Sequence, residues 1–327
     1  MLNIAGLFTR ETIIRHLAAL PPLKTVVMDT IFTDRPQIHT AMVSTSDILA
    51  TVHALPFVRR GAPSVPATKE QGSWAWYEPL AARPNVMVTG ADLNNLKLMG
   101  QGGKEDWARG RTDHLRRGIR KTAEAVCMQA LSGRVQWPVQ LEGGGWDIFD
   151  VDFGAILSLN VAAAAKWDHA DCKLADIFET LTDMQEAIEE HGYGSTAEIW
   201  AGKTAYNKLF IKAEASETTA KIRVELTDQG INIGGFLIKR RAEKYRNPQT
   251  GVMTPAVPDK EVRMIATDAG HRMPYCAVDD LDANLMAMPM FVKPIEIKDP
   301  SGYKLVGESK PFPIPNVKGI CKALVVA

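Results

Sequence analysis

The chain's 327 residues carry 38 lysines and arginines against 38 aspartates and glutamates, and are 46% hydrophobic and 23% charged. That length buries a sizeable core in two or three domains, and the neutral total excludes a protein drawn to polyanions over its whole surface while leaving room for local basic patches. No apolar run approaches the roughly 18 residues of a membrane span, no signal peptide is legible, and Cys127, Cys172, Cys276 and Cys321 lie far apart, which predicts free thiols in a reducing compartment.

In chain order, Thr9 is placed to cap a helix from Arg10 with Ile13, Ile14, Leu17 and Leu20 as its stripe, stopped by Pro21-Pro22. Short extended segments are expected at Thr25 to Phe32 and Gln37 to Val43. Neither forms a core alone, so both read as an arm that borrows its burial. From Ser46 to Asn95, alternation at Val52, Ala54, Pro56 and Val58, a Gly- and Pro-rich turn after Arg59-Arg60, the aromatics Trp74, Trp76 and Tyr77, and a strand at Asn85 to Val88 predict a long β-hairpin. A loop of this length in a compact subunit needs a job, such as reaching a neighbour.

The strongest helical signal runs from Gly103 to Arg134. Trp107, Leu115, Ile119, Thr122 or Ala123, Val126 and Ala130 recur at steps of three or four, which places them on one stripe. Lys104, Arg109, Arg111, Arg116, Arg117, Arg120 and Lys121 oppose only Glu105, Asp106, Asp113 and Glu124, so seven positive groups minus four negative leave three in excess. The segment is a basic, half-exposed rod of roughly 45 Å, with Gly110 marking a place for a break.

A hairpin follows, Val135 to Leu141 and Trp146 to Phe153, with Asp147, Phe149, Val151 and Phe153 on the inner parity and Asp150 and Asp152 exposed. Residues 168–269 read as an α/β layer. It has a helix along Leu174, Ile177, Phe178, Leu181, Met184 and Ile188, a strand at Ala197 to Trp200 and a helix at Lys203 to Ala213. Strands at Lys221 to Leu226, Gly230 to Ile238 and Glu261 to Thr267 complete it, with a turn-rich loop from Arg246 to Pro258. Strands return at Phe291 to Lys298 and Gly319 to Val326. The apolar last strand is expected to pair with the sheet begun near Val139, making the first domain discontinuous.

Little in the chain points to catalysis. Asp168-His169-Ala170-Asp171-Cys172 contains metal-ligand types, yet it precedes a helix that Asp168 or Asp171 is placed to cap. Gly100-Gln101-Gly102-Gly103-Lys104 is half a phosphate loop with Glu105 where a hydroxyl belongs, and reads as a hinge. There is no Gly-x-Ser-x-Gly elbow. The arginine-rich helix and Lys239-Arg240-Arg241 are better matched to acidic patches such as Glu186 to Glu190, on neighbours or within the chain, than to a nucleic-acid motif.

The order of arm, hairpin extension, basic helix, sheet-forming hairpin, inserted α/β domain and return strand resembles the major capsid proteins of tailed bacteriophages. Within them the chain is similar to the lambda-type capsid protein E family. The detailed likeness lies in Thr89-Gly90-Ala91-Asp92-Leu93-Asn94, in Arg111 to Ile119, in Glu124 to Gly133 with Glu124, Ala130, Leu131 and Gly133 at the marked positions, and in Phe149 to Gly154. The tail from Pro311-Phe312-Pro313 to Ala327 is similar to the family's last segment.

The resemblance implies an α+β Hong Kong 97-like major capsid protein fold. Its parts would be an N-terminal arm (1–45), an extended β-hairpin loop (46–95), a long spine helix with the first part of a peripheral domain (96–167), an inserted axial domain (168–269) and the peripheral domain's C-terminal part (270–327). It implies self-assembly into pentamers and hexamers of an icosahedral shell around double-stranded DNA, in the virion, from chains made in the host bacterial cytoplasm. Expected partners are a separate scaffolding protein, a decoration protein and a portal, with no membrane, cofactor, metal or catalytic residue. Inter-subunit contact candidates are Arg59, Arg60, Trp74, Trp76, Tyr77, Arg109, Arg116, Arg117 and Arg120. The alternatives are another virion structural protein or a soluble hydrolase.

Overall fold

The computed structural model describes residues 5–44, 76–215 and 223–327. These fall into two compact units. One holds the described residues up to Ser44 with Trp76–Glu124 and Arg272–Pro313, and the other holds Ala125–His271 and Ile314–Ala327. The expected hairpin from Val52 to Trp74 lies outside the described residues.

Helix α1 (Arg10–Ala19) begins as its sequence predicts, the Thr9 hydroxyl accepting from the Thr12 N–H at 3.3 Å. The segment expected to be extended after it is instead a short helix, α2 (Val26–Thr30). Five residues cannot repay helix nucleation locally, and its first-turn amides are held by a side chain almost a hundred positions away, which no local pattern reveals. The next expected strand divides into β1 (Gln37–Ile38) and β2 (Val43–Ser44). Strands β3 (Trp76–Tyr77) and β4 (Asn85–Thr89) lead to α3 (Gly90–Lys97), where Thr89 and Asp92 cap one another's backbone reciprocally at 3.3 and 3.0 Å.

Helix α4 (Gln101–Ala130) starts two residues earlier and ends four earlier than its pattern suggests, and it runs unbroken through Gly110 and Gly118. A Cβ at either glycine would meet nothing within 4 Å, so each costs only its propensity, about 1 kcal/mol. Residues 101–104 form its first turn, which replaces the expected hinge.

Gly133 turns the chain out of α4 at φ +83°, and a Cβ there would sit 2.2 Å from the Gly154 carbonyl oxygen. Only glycine fits. Strands β5 (Arg134–Gln140) and β6 (Trp146–Asp152) pair antiparallel from Arg134↔Asp152 to Gln140↔Trp146. On the expected inner parity Val151 and Phe153 are buried and Phe149 half-buried, but Asp147 is exposed; Asp150 and Asp152 are exposed as expected. After β7 (Leu157–Leu159) comes α5 (Leu174–Glu189), whose start is held not by Asp168 or Asp171 but by Asp176, accepting from the Lys173 N–H at 2.7 Å. The Asp168 carboxylate instead accepts from the Ala327 N–H.

Strand β8 (Ala197–Ala201), helix α6 (Lys203–Glu214) and β9 (Val224–Thr227) follow. The run expected to be one strand from Gly230 to Ile238 folds back on itself as β10 (Gly230–Ile233) and β11 (Phe236–Arg240), because Gly234 and Gly235 adopt φ +60° and +105°. The expected loop contains a second antiparallel pair, β12 (Lys244–Arg246) and β13 (Met253–Pro255). The remaining strands are β14 (Glu261–Ala266), β15 (Tyr275–Cys276), β16 (Phe291–Lys298), β17 (Ser301–Glu308) and β18 (Ile320–Leu324).

In the first unit β16, β17 and β4 make an antiparallel sheet. Val88, Val292 and Leu305 of that sheet share a core with Ile13 of α1 and Leu115 and Ile119 of α4. In the second unit a mixed seven-stranded sheet runs in the order β7, β18, β14, β8, β11, β10, β9. One of its faces presents Ile199, Ala201, Ile231, Ile238, Val262, Met264, Cys321 and Ala323 to the apolar stripes of α5 and α6.

The last strand therefore does not pair near Val139. It lies inside the large sheet, antiparallel to β14 and parallel to β7. An apolar strand with Ile320, Cys321 and Ala323 all buried needs neighbours on both edges, whereas β5 and β6 satisfy each other as a separate two-stranded ribbon.

Beside β18 a buried histidine closes the unit. His271 Nε2–H donates to the Ala266 carbonyl at 3.0 Å, its Nδ1 accepts from the Asn316 N–H at 3.1 Å, and Asn316 Nδ2 donates to the Ala269 carbonyl at 3.0 Å. This pattern needs the neutral ring. Burial lowers the His271 pKa to about 4, against a smaller opposing pull from the Ala266 carbonyl and Asp268. Because the unfolded chain takes up this proton near 6.5, the histidine's contribution is complete above pH 6.5 and drains away as pH falls towards 4, by roughly 3 kcal/mol in total. Denaturant unfolding across that window is expected to show a shallower pH slope in His271→Gln than in the parent chain. Parallel slopes would contradict the neutral-ring assignment.

Candidate functional site

The most connected polar cluster of the first unit lies where α2 and its flanks meet one face of α4. Positions 116, 120 and 124 are four apart, so their side chains stack along a single line of the helix. Arg116 donates to the Pro21 carbonyl at 2.8 Å, Arg120 donates to the Thr25 hydroxyl at 3.0 Å from Nε, and Glu124 receives two amides. The Val27 N–H reaches Oε1 at 2.7 Å and the Met28 N–H reaches Oε2 at 2.9 Å. A helix as short as α2 leaves its first-turn amides without internal acceptors, and a carboxylate also suits the positive end of its dipole.

Asp29 completes the cluster. It accepts from the Thr25 N–H at 2.7 Å and pairs with Arg35 and Arg120, while Arg35 also donates to the Met28 carbonyl. Burial alone would raise the Asp29 pKa, but the Thr25 amide and the two guanidiniums outweigh it and hold the pKa at about 2. For Glu124 the balance is reversed: burial pushes its pKa up, against the pull of the Met28, Val27 and Val26 amides and Arg120. The arm residues and α4 are thus joined by a charge-assisted lattice that is buried at Glu124 and open to solvent at Asp29.

The sequence-derived candidates are placed unevenly. Arg59, Arg60 and Trp74 fall outside the described residues. Arg116 and Arg120 are brought together in the cluster, each with less than a fifth of its side chain exposed. Arg117 pairs with Asp113 at 2.7 Å yet stays 59% exposed, and Arg109 pairs with Asp106 at 3.0 Å. Tyr77 stacks on Phe312 with ring centroids 5.9 Å apart, and Trp76 beside it is 56% exposed. The second basic run is absorbed locally: Lys239 and Arg241 both pair with Glu198, and Arg241 lies over the Trp200 ring.

Sequence reasoning missed Thr25, Asp29 and Arg35, and quoted Glu124 only in the charge count of the rod and for its place in a family pattern. One signal was available. Glu124 is a lone carboxylate between Ala123 and Ala125 on a part of α4 buried nearly all round, and a buried acid needs donors.

A second feature is the β5–β6 ribbon. Its inner end is buried, but Leu141, Trp146 and Ile148 at the outer end are all exposed. Among the described residues no group of three or more His, Cys, Asp or Glu converges on a metal, and no helix is long and apolar enough to cross a membrane. None of the four cysteines forms a disulfide and all are buried, and burial pushes Cys276 and Cys321 up to about 11. Those two thiols stay protonated at neutral pH.

The described residues form an α+β fold built on a thirty-residue helix and a large mixed sheet. Its architecture is similar to that of two solved structures. The first, a protein assigned as the capsid protein of a prophage of E. coli CFT073, is 16% identical, with 98% of this chain and 99% of that one covered at a TM-score of 0.62. The second, a phage-related protein from Bordetella bronchiseptica RB50, is 10% identical, with 97% and 96% covered at a TM-score of 0.52. These show the Hong Kong 97-like fold. The family model for phage major capsid protein E matches residues 9–325, and the chain belongs to that family. No curated protein matches the sequence. The family's role is structural, as a capsid component.

The cluster yields a direct expectation. Glu124→Gln keeps the shape but sets an NH2 group against one of the two amides, and should destabilise the chain by about 2 kcal/mol. Hydrogen exchange at Val27 and Met28 should accelerate well beyond that of the seven-stranded sheet; uniform acceleration, or none, would contradict the anchoring role.

Proposed function

We propose that this chain is a major capsid protein that assembles with copies of itself, as pentamers and hexamers, into the icosahedral head shell around double-stranded phage DNA. Residues 1–45 act as its arm, 46–95 as its extended loop, α4 as its spine helix, 168–269 as its axial domain, and 96–167 with 270–327 as its peripheral domain. The observation that carries the reading is the β5–β6 ribbon. Two strands are marginal alone in water, and this pair exposes Leu141, Trp146 and Ile148 at its outer end, so a neighbouring copy is the natural source of their burial.

Family membership over nearly the whole chain supports the same reading. Arg59, Arg60, Trp74, Trp76 and Tyr77 belong to the loop proposed to overlap an adjacent subunit, Arg117 lies on the solvent side of the rod, and Arg109 is half-buried. Arg116 and Arg120 act within the subunit first, by presenting the arm. A scaffolding protein, a decoration protein and a portal are proposed partners, with the chain made in the host cytoplasm and ending in the virion. Apolar contact at roughly 25 cal/mol per Å² drives assembly, less the cost of ordering loop and arm, and repetition makes modest interfaces durable.

Negative-stain microscopy of the chain co-expressed with its scaffold should show isometric shells of uniform size. Deleting Arg59 to Trp76 should leave soluble, folded subunits that fail to close. A wild-type chain that stays monomeric under all these conditions removes the proposal, and normal shells from the deletion variant remove the role of the loop.

A further inference from the structure

Arg263 is an unusual occupant of β14. Its neighbours Val262 and Met264 point into the apolar core, whereas Arg263 lies on the opposite parity and is only 5% exposed. Its one ion-pair partner among the described residues is Glu261, at a long 3.3 Å, and its Nε has no hydrogen-bond acceptor there. A buried guanidinium with a vacant donor costs free energy unless something supplies an acceptor.

Arg263 lines a cleft of about 300 Å³ together with Gln129, Ser132, Arg134, Gln136 and Tyr245. No aspartate or glutamate lines it. Several of its polar groups are already committed: Ser132 Oγ donates to the Gln129 carbonyl at 2.7 Å and Gln136 Nε2 to Asp150 at 3.1 Å. Gln129 Nε2 donates to the Tyr245 oxygen at 2.9 Å, so the Tyr245 proton is not used in that bond. Gln129 Oε1 accepts from the Gln136 N–H at 2.9 Å, fixing the amide's orientation, and the Trp137 and Tyr245 rings lie 5.9 Å apart, holding the phenol in place. Arg134 is engaged with Asp150 at the rim.

We infer that this cleft is a binding site for a small oxyanion, held by Arg263 and the Tyr245 hydroxyl. Guanidinium and phenol donors around a recess without acids recognise carboxylate or phosphate oxygens and reject cations. The volume is ample for inorganic phosphate or an acetate-sized carboxylate. Neither the family description nor the proposed shell assigns such a site, and it requires no assembly to form.

The test uses the full chain as unassembled subunits, titrated by calorimetry with inorganic phosphate and separately with acetate, each against chloride at matched ionic strength. Saturable binding of either anion, absent with chloride, is expected. Stronger phosphate binding assigns a tetrahedral ligand and stronger acetate binding a carboxylate. Tyr245→Phe removes the phenol proton, together with the acceptor of Gln129 Nε2, without opening a cavity, and should weaken binding about fivefold. Arg263→Met should weaken it more than tenfold. If Arg263→Met does not fold, the parent chain and Tyr245→Phe still decide. Absence of saturable binding by the parent chain, or binding unchanged in Tyr245→Phe, overturns the inference.

Discussion

The first unit depends on one exchange between α2 and α4: a carboxylate that would be costly to bury alone meets amides that would be costly to leave unbonded. Glu124 is almost fully enclosed, and desolvation of a free carboxylate in such a place costs several kcal/mol. The first turn of α2 presents the complementary problem, since Val27 and Met28 are also buried and their N–H groups have no helical acceptor. Each solves the other. Arg120, one turn earlier on the same face, neutralises the surroundings through Asp29 and steadies Thr25. Three side chains at a spacing of four thus convert a regular helix into a template for an irregular segment.

The second unit solves a different constraint. Its sheet takes in strands from distant parts of the chain, with β7 before α5, β14 after β11, and β18 at the end. Such pairings pay their loop-closure entropy before any contact rewards it. The small polar devices at the strand ends make the register unique: Asp268 receives the Gly194 and Ser195 amides, and His271 and Asn316 bridge the approach to β18. These groups tie loops to loops, while the apolar faces of α5 and α6 supply the bulk of the burial.

What was legible in the sequence follows this division. Helices α1, α4, α5 and α6, strand β4 and the β5–β6 ribbon announce themselves because their burial has a single period and their caps or turns are local. The exceptions share a cause. Segment Thr25 to Phe32 is helical on account of Glu124, and β18 sits between β14 and β7 because of which edges the sheet leaves open; neither fact lies within a window of neighbouring residues. The fold of Gly230 to Arg240 was closer to being readable, since a Gly-Gly pair between alternating apolar residues is a hairpin signal that the apolar run concealed. At the site, the arginines were visible as a charge excess, but their partners were not, because ion pairing depends on which face of α4 the arm covers.

The arginines, sorted by what they touch, show how a chain of zero net charge can still carry specific electrostatic information. Arg116 and Arg120 are spent on holding the arm, and Arg241 is spent on Glu198 and the Trp200 ring. Arg117 remains largely in solvent despite its pair with Asp113, and Arg263 remains buried with a donor unused. In the proposed shell an exposed cation such as Arg117 would add little affinity but would penalise a misaligned neighbour, which sets register. In the proposed shell, contact free energy would then come from apolar groups such as Trp76 and the outer end of the β5–β6 ribbon, and geometry from the cations. The separation matters for a structure built from many copies. An interface that is weakly attractive and strongly selective lets a wrongly placed subunit leave before its neighbours lock it in.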